Sequence, residues 1–386
     1  MNTDTITPPH AAASTLEAVE ALGSTIKARA DEIEDARRLP PDLVHQLKRA
    51  GCFRMLTPRR HGGTEATLAD HFRMVRALAR VDGSVGWTVM IGSSAPVILG
   101  MLPPATFDAV YANGPDVVLA GAFNPTGVAT PVDGGFRATG RWSFASGCQH
   151  ADWFVAHCFV DDGRTPPVRM MVMPAADIEI VDTWTVAGLC GTGSHDFAVD
   201  NVFVPAEQTF SLFEAGGLDG PIGRIPELSS SSLAFANVAI GIAEGAMAEV
   251  TTLASSKVPM LAEATLATNP LFRYRLAEAD AHLRAADALL QVAVASTWST
   301  AVAAEDFSPE QRARIRATAT WVTTAAAEIA DAAYTAGGGS ALYASSPLQR
   351  RMRDAHAITQ HFAVKPDTFT LAGAVLAGQD VDLSFL

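Results

Sequence analysis

The chain has few charged residues, few cysteines and no cluster of basic side chains. Charged residues make up 18% of the chain and the formal net charge is −13, which argues against nucleic acid because such binding needs grouped Lys and Arg. The four cysteines are scattered and form no Cys-x-x-Cys pair, so we expect reduced thiols and no zinc or other metal site. They are Cys52, Cys148, Cys158 and Cys190.

Membrane and export signals are also missing from the sequence. No run of 18 uncharged apolar residues occurs, so no transmembrane helix is predicted. The first residues, Met1 to Ala13, are polar and lack the basic start and apolar core of a signal peptide. The sequence therefore predicts a cytoplasmic protein with no membrane partner.

What the chain does have is length and apolar content. At 386 residues, of which 48% are hydrophobic, it can bury a large core and should form two or three domains. We expect a disordered N-terminus over 1–13, a helical domain over 14–116, a β-domain over 117–225 and a helical bundle over 226–386. This is an α+β fold that is mostly helical, with a middle β-barrel or sandwich and a C-terminal four-helix bundle.

Apolar spacing predicts the individual elements. Helices are predicted over 16–36, 43–50, 68–80, 86–102, 231–255, 270–303, 309–335 and 347–362, and strands over 117–123, 134–142, 153–159, 168–173 and 197–204.

The most informative stretch is the run from Met352 to Phe362. Phe362 cannot accept a proton, whereas the neutral imidazole of His361 can, with an ordinary pKa near ~6.5. A His at a helix end is also typical of an exposed cap that favours the negative helix terminus. Either role for His361 is compatible with the sequence pattern alone.

Four local motifs, in order, resemble those of the acyl-CoA dehydrogenase fold. They are Leu39-Pro40-Pro41-Asp42-Leu43 with Arg60-His61-Gly62-Gly63, Gly140 to Gly147, Gly188 to Ser194 with Val202 to Pro205, and Gly337 to Ser340 with Met352 to Ala355. The Asp82-Gly83-Ser84 and Trp142 to Gly147 segments resemble one branch, the oxygenase components of two-component flavin monooxygenases. Members of that branch act on 4-hydroxyphenylacetate, secosteroid phenols, indoles or dibenzothiophene.

The resemblance implies a definite chemistry. Such an enzyme takes dissociable reduced FMN or FAD from an NAD(P)H:flavin reductase, forms a flavin C4a-hydroperoxide with O2, and hydroxylates an aromatic or heteroaromatic molecule. The dehydrogenases of this fold use a C-terminal Glu as base, and Phe362 stands at that position here. The resemblance also implies a homotetramer built through the C-terminal bundles.

Site residues follow from the matched positions. The resemblance implies Ser146, near flavin N5, and His361 as catalytic residues; His361 either deprotonates the substrate or holds the hydroperoxide proton. The alternatives are a strand-closing Ser for Ser146, β-domain core for Trp142 and Phe144, and a simple turn for the glycines. The predicted cofactor contacts are Trp142, Phe144, Ser146, Phe123, Asn124, Arg273, Gly337, Gly338 and Gly339, and the predicted substrate contacts are Trp87, Ser93, Ser94, Asn124 and Phe362.

Two departures from the family pattern sharpen the expectation. The segment from Ala254 to Pro259 lacks the Arg-Lys-Thr-Phe run that contacts FAD pyrophosphate, and Ile91 to Pro96 lacks the His that binds a phenolate. An indole or polyketide ring is therefore favoured over a simple phenol. The rival hypotheses are an acyl-CoA dehydrogenase with Glu244 as a relocated base, and a non-catalytic flavin-binding scaffold.

Overall fold

Helices occupy both ends of the chain and strands occupy its middle. The structure is a computed structural model that describes residues 9–163, 165–212 and 217–382. The N-terminal helices are α1 (Pro9–Ala28), α2 (Ala30–Ala36), α3 (Pro41–Arg49), α4 (Leu68–Val81), α5 (Gly83–Ser93), α6 (Ala95–Leu99) and α7 (Pro104–Val110). Because α1 begins at Pro9, residues 9–13 are helical and the predicted disorder is wrong there, while residues 1–8 lie outside the described part.

Side-chain caps explain where the helices near the site begin. The Thr67 hydroxyl accepts a hydrogen bond from the Asp70 amide and starts α4, and the Asp82 carboxylate accepts one from the Val85 amide and starts α5. The predicted single helix over 86–102 is split into α5 and α6, with Pro96 in the first turn of α6. The predicted helix over 16–36 is likewise interrupted, at Arg29.

The middle strands form one seven-stranded sheet in the order β5-β6-β2-β1-β3-β4-β7. The strands are β1 (Leu119–Val132), β2 (Gly135–Trp142), β3 (Trp153–Phe159), β4 (Val168–Pro174), β5 (Glu179–Val181), β6 (Asp196–Pro205) and β7 (Thr209–Phe210). Only the β1–β3 pair is parallel among the described pairings. The short strands β5 and β7 were missed, because two or three residues carry too little alternation to be recognised.

The C-terminal helices pack around α9. They are α8 (Pro221–Arg224), α9 (Glu227–Ser256), α10 (Pro270–Ala303), α11 (Pro309–Gly337), α12 (Pro347–Thr359) and α13 (Thr368–Leu376). By length and composition α9 resembles a membrane span, but 78% of its apolar window is buried within the protein, as in the core helix of a soluble protein. The predicted fold class is confirmed, and the domain boundaries at 117 and 226 stay a prediction.

Asp354 joins the β-domain to the bundle. This buried carboxylate on α12 accepts a 2.6 Å hydrogen bond from the Leu189 amide, in the loop before β6. The backbones approach so closely here that a Cβ at Gly188 would lie 2.1 Å from the Arg353 carbonyl oxygen. A Cβ at Gly83 would lie 2.8 Å from Asp354 Oδ2, so α5 meets the same point. The Met352 to Ala355 motif therefore fixes the junction of three segments.

The buried carboxyl of Asp354 should make the fold less stable as the pH rises. Burial, together with the nearby charge of Asp82, raises the pKa of Asp354 to about 7, against ~3.9 for an unfolded Asp. The folded state holds the extra proton, so its stability is greatest below the unfolded pKa and declines as the pH rises through the folded one. Asp354→Asn keeps an acceptor for Leu189, and it should flatten this decline in urea unfolding measured from roughly pH 5 to 8.

Asp182→Asn is the matched control. Arg37 lowers the pKa of the exposed Asp182, so its contribution is present above the unfolded pKa and is lost only in acid. Equal pH slopes for the wild type and Asp354→Asn would contradict the assigned protonation of Asp354.

Candidate active site

Trp87 on α5 brings the two predicted catalytic residues together. Its indole Nε1 donates a 3.0 Å hydrogen bond to the Ser146 hydroxyl, which lies in the loop after β2. Its ring stacks on Phe235 of α9, with centroids 4.9 Å apart, and meets His361 edge-on at 5.8 Å. Ser146 and His361 thus flank one indole, and the predicted substrate contact Trp87 is buried between them.

Ser146 begins a directed chain of hydroxyl groups. The Thr192 hydroxyl donates to the Leu189 carbonyl at 2.8 Å, so it accepts the Ser194 proton at 2.6 Å. Ser194 is then free to accept the Ser146 proton at 2.7 Å. Because a hydroxyl has one proton and two lone pairs, Ser146 uses its proton on Ser194 and one lone pair on Trp87. Its second lone pair can accept a hydrogen bond from a bound ligand.

Backbone contacts hold Ser146 in place. The Ala145 amide donates to the His195 carbonyl at 3.0 Å, and the Gly147 amide donates to the Thr192 carbonyl at 2.8 Å. Gly147 has φ of +73°, a left-handed conformation that glycine adopts without steric cost. Ser146 and Gly147 therefore make a tight turn that directs the Ser146 hydroxyl onto Trp87. A serine that merely ended the strand would not need this orientation.

His361 lies in the loop just after α12 and is partly buried. Its ring packs on Phe235, with centroids 4.3 Å apart, and on Phe362 at 4.9 Å. This burial, together with the charge of Arg316, lowers the pKa of His361 to about 4. The imidazole is therefore neutral near pH 7, which does not fit an exposed, charged helix cap.

The two aromatic residues predicted to stack on a flavin differ sharply in exposure. Trp142 is 1% exposed, stacks on Phe197 and donates from Nε1 to the His157 carbonyl, so it offers no free ring face. Its prediction as a cofactor contact is corrected to β-domain core. Phe144 is 72% exposed and has φ of +71°, an unusual conformation for a bulky residue. Phe144 therefore remains a candidate flavin contact.

Ser93 is not available to a substrate. It is fully buried, and its hydroxyl lies 2.8 Å from His71 Nε2 of α4. The prediction that Ser93 contacts substrate is corrected accordingly, and a His from another helix lies beside it although the segment from Ile91 to Pro96 has none. Burial lowers the pKa of His71 to about 4, and its Nδ1 has no hydrogen-bond partner among the described residues.

The remaining predicted substrate and cofactor residues make few described contacts. The Ser94 hydroxyl donates to the Ile91 carbonyl at 2.7 Å, and the Phe123 carbonyl pairs with His157 Nδ1 at 2.8 Å. Asn124 is exposed on β1, where the register with β3 shifts. Phe362 is 53% exposed beside His361. None of these contacts tests a ligand role, which stays a prediction.

The predicted glycine loop has a cationic neighbour that the sequence did not reveal. The Lys257 ammonium donates to the Gly337 carbonyl and would lie 3.4 Å from a Cβ at Gly338, while a Cβ at Gly339 would meet nothing within 4 Å. Arg273 lies in the first turns of α10 with its Nε donating to the Ala267 carbonyl at 2.8 Å, and its predicted cofactor contact stays a prediction. The family's basic run is absent from 254–259, but one lysine of that segment still reaches the loop.

Glu244 does not lie free in the site. Its carboxylate forms a two-pronged ion pair with Arg76 of α4, at 2.6 and 3.0 Å, and Arg76 also binds Asp287 of α10. Breaking such a partly buried pair would leave Arg76 uncompensated. Glu244 therefore ties three helices together, which removes the carboxylate that the dehydrogenase hypothesis required.

Three site residues were missed in the sequence, although a signal existed for each. His71 lies on the apolar stripe of α4 with Phe72, Val75 and Leu78, and Arg316 interrupts the apolar face of α11. Glu227 opens α9, where burial raises its pKa to about 7. A polar residue at a core position of a helical pattern is the signal that His71 and Arg316 share, whereas Glu227 is an acidic residue in the first turn of its helix.

Comparison with known proteins gives a consistent result. Models of the acyl-CoA dehydrogenase N-terminal and C-terminal domains match residues 14–101 and 233–366. The chain is 34% identical over 374 residues to the indole-3-acetate monooxygenase of Pseudomonas putida, covering 96% of each. It is 32% identical over 362 residues to the flavin-dependent monooxygenase oxygenase subunit HsaA of Rhodococcus jostii, covering 91% of this chain and 95% of that one.

A solved structure extends the likeness to the whole fold. XiaF from Streptomyces sp., in complex with FADH2 and glycerol, is 25% identical and superposes with a TM-score of 0.89, covering 96% of each chain.

Removing either partner of the Trp87–Ser146 bond should reveal its energy. Ser146→Ala leaves a buried indole N–H unpaired and should lower the free energy of unfolding by about 1–3 kcal/mol. Trp87→Phe leaves Ser146 bonded to Ser194. A double-mutant cycle in urea should give a coupling of about 1 kcal/mol between the two side chains. A coupling of zero would mean that the bond does not form in solution.

Proposed function

The chain belongs to the flavin-dependent monooxygenases of the acyl-CoA dehydrogenase fold, and from that premise we propose that it hydroxylates an aromatic or heteroaromatic small molecule. The observation that carries the proposal is the single indole of Trp87 between Ser146 and His361. Two groups able to hold a proton meet there in a mostly apolar surrounding. That arrangement suits oxygen transfer to a ring, and among the described residues that form it there is no carboxylate of the kind that α-proton removal from an acyl-CoA needs.

The residues present fit a reduced flavin. Ser146 has an acceptor lone pair left over, which matches the N–H that reduced flavin carries at N5. Phe144 on the β-domain side and Phe362 on the bundle side expose ring surface on which an isoalloxazine can pack. Lys257 and the Gly339 amide would hold a flavin phosphate, while the Gly338 amide donates to the Thr335 carbonyl at the end of α11. When bound, the flavin supplies the electrons that activate O2.

Each of the side chains around the site would have a separate role in the reaction. Ser146 would orient the flavin, and Trp87, Phe235 and Phe362 would exclude water and give a flat apolar wall to the substrate. His361, which is neutral near pH 7, would donate a hydrogen bond from its ring N–H. One relative is named for indole-3-acetate, and we propose an indole or similarly sized fused ring as the substrate class.

The proposal includes two protein partners. A separate NAD(P)H:flavin reductase would supply reduced FMN or FAD, in keeping with the oxygenase-subunit name of one relative. A homotetramer would cover apolar side chains that α10 leaves exposed, such as Leu271, Tyr274 and Val292. The free cysteines suit the cytoplasm, where we expect the enzyme to act.

Rapid mixing distinguishes the monooxygenase from its dehydrogenase rival. The purified protein is mixed anaerobically with reduced FMN or FAD, and oxygen is then admitted. We expect a transient absorbance band, distinct from those of oxidised and reduced flavin, that decays faster when indole-3-acetate is present. Tightly bound oxidised FAD that an acyl-CoA bleaches would sink the proposal. Glu244→Gln should leave the transient unchanged, because Glu244 is committed to Arg76.

His361→Gln tests the proton-handling role. We expect the transient band to form as in the wild type but product formation to fall by roughly 10²-fold, with the missing product recovered as hydrogen peroxide. His356→Gln is the matched control, since His356 pairs with Asp331 on the exposed side of α12. Product yields equal to wild type in His361→Gln would remove His361 from the mechanism.

A further inference from the structure

Arg316 of α11 is linked to His361 through Ala363. The guanidinium Nε donates to the Ala363 carbonyl at 3.3 Å, and the Ala363 amide donates to His361 Nδ1, also at 3.3 Å. Arg316 is 3% exposed, and Ala363 is fully buried. One buried residue therefore receives a bond from the arginine and gives one to the imidazole, so that movement of Arg316 would move the loop that holds His361.

The bond to Nδ1 determines which nitrogen of His361 carries the proton. A neutral imidazole has one donor and one acceptor nitrogen. Since Nδ1 accepts from the Ala363 amide, the proton of neutral His361 lies on Nε2. In this tautomer His361 presents a hydrogen-bond donor from Nε2. Nε2 therefore cannot take a proton from a substrate in this state, and it can instead donate a hydrogen bond to an oxygen atom of a bound ligand.

The positive charge of Arg316 also favours the neutral form of His361. The elements packed on His361 present apolar rings, Trp87 from α5 and Phe235 from α9, while α11 presents the positive charge of Arg316. Two turns before Phe235, Glu227 opens α9 and its carboxyl interacts with Arg316. Arg316 is thus the cation that disfavours a second proton on His361, and Glu227 is the group that partly compensates it.

We infer that Arg316 is a positioning residue, which through Ala363 holds His361 in place with its proton on Nε2. The inference rests on the proposed role of His361 in the reaction, but it concerns the state of the imidazole and can be measured in the protein without flavin. Arg316 itself contacts the loop and is not required to touch the substrate.

The test is nitrogen NMR of the flavin-free protein labelled with ¹⁵N-histidine, in which the signals lost in His361→Gln identify His361. In the wild type we expect one protonated-type and one acceptor-type nitrogen near pH 7, and a titration midpoint well below that of an ordinary His. Arg316→Met removes both the bond and the charge. Its two nitrogen shifts should converge, and the midpoint should rise by about one unit, a tenfold change in the protonation equilibrium.

Arg316→Lys separates the two effects. It keeps the charge but not the guanidinium geometry, so the midpoint should stay low while the nitrogen shifts converge. Arg76→Met is the matched control, a partly buried arginine whose partners are Glu244 and Asp287, and it should leave the His361 signals unchanged. Should Arg316→Met fail to fold, the nitrogen shifts of Arg316→Lys decide the matter.

Wild-type shifts and midpoint for His361 in the folded Arg316 variants would overturn the inference. The result is independent of the proposed function: product formation that survives His361→Gln would refute the catalytic role of His361, whereas altered His361 signals in the Arg316 variants would still support the positioning.

Discussion

The hydrogen bond between the Trp87 indole and the Ser146 hydroxyl is the contact on which the site depends. It crosses from the N-terminal helices to the β-domain, and the same indole stacks on Phe235 of the C-terminal bundle. All three parts of the chain therefore meet at one side chain. Because an indole has a single donor and a large rigid ring, it can fix Ser146 by direction and His361 by packing. A change in the docking of any part would disturb both proton-handling groups together.

The surroundings of this contact keep its polar groups satisfied in a mostly apolar place. The hydroxyl chain from Ser146 through Ser194 to Thr192 ends on a backbone carbonyl, and the Ala363 amide serves His361. A buried polar group without a partner would cost about 1–3 kcal/mol, so these bonds stabilise the preformed site. The acceptor lone pair left on Ser146 is then available to a ligand, which is what a dissociable cofactor requires.

The ion pairing of Glu244 distinguishes this protein from the dehydrogenases of its fold. A carboxylate base must lie close to the substrate without a permanent partner, and Glu244 is instead bound by Arg76. Phe362 stands exposed where a carboxylate would be expected, next to a neutral His361. The scaffold is shared because Asp354 and Gly188 fix how the β-domain meets the bundle, and that junction does not depend on the reaction catalysed.

Much of the outline was available in the amino-acid sequence. Helical and alternating patterns located the long helices and the main strands, since apolar periodicity follows local geometry, and Ser146, Trp87 and His361 were identified from motifs. The sequence could not predict that Ser93 is covered by His71 or that Lys257 reaches the glycine loop, and it left open whether Trp142 faces the flavin or the β-domain core. Each of these contacts joins residues from different elements, such as Lys257 and Gly337.

The sequence by itself determined the order of elements, the absence of a base at Phe362 and the presence of an imidazole at His361. Only the tertiary structure decided the state of that imidazole. Its protonation depends on burial against Phe235 and on the charge of Arg316, and its tautomer depends on the bond from Ala363. These are effects of distance and solvent exclusion, which arise when the loop after α12 packs between α9 and α11 and which no local pattern encodes.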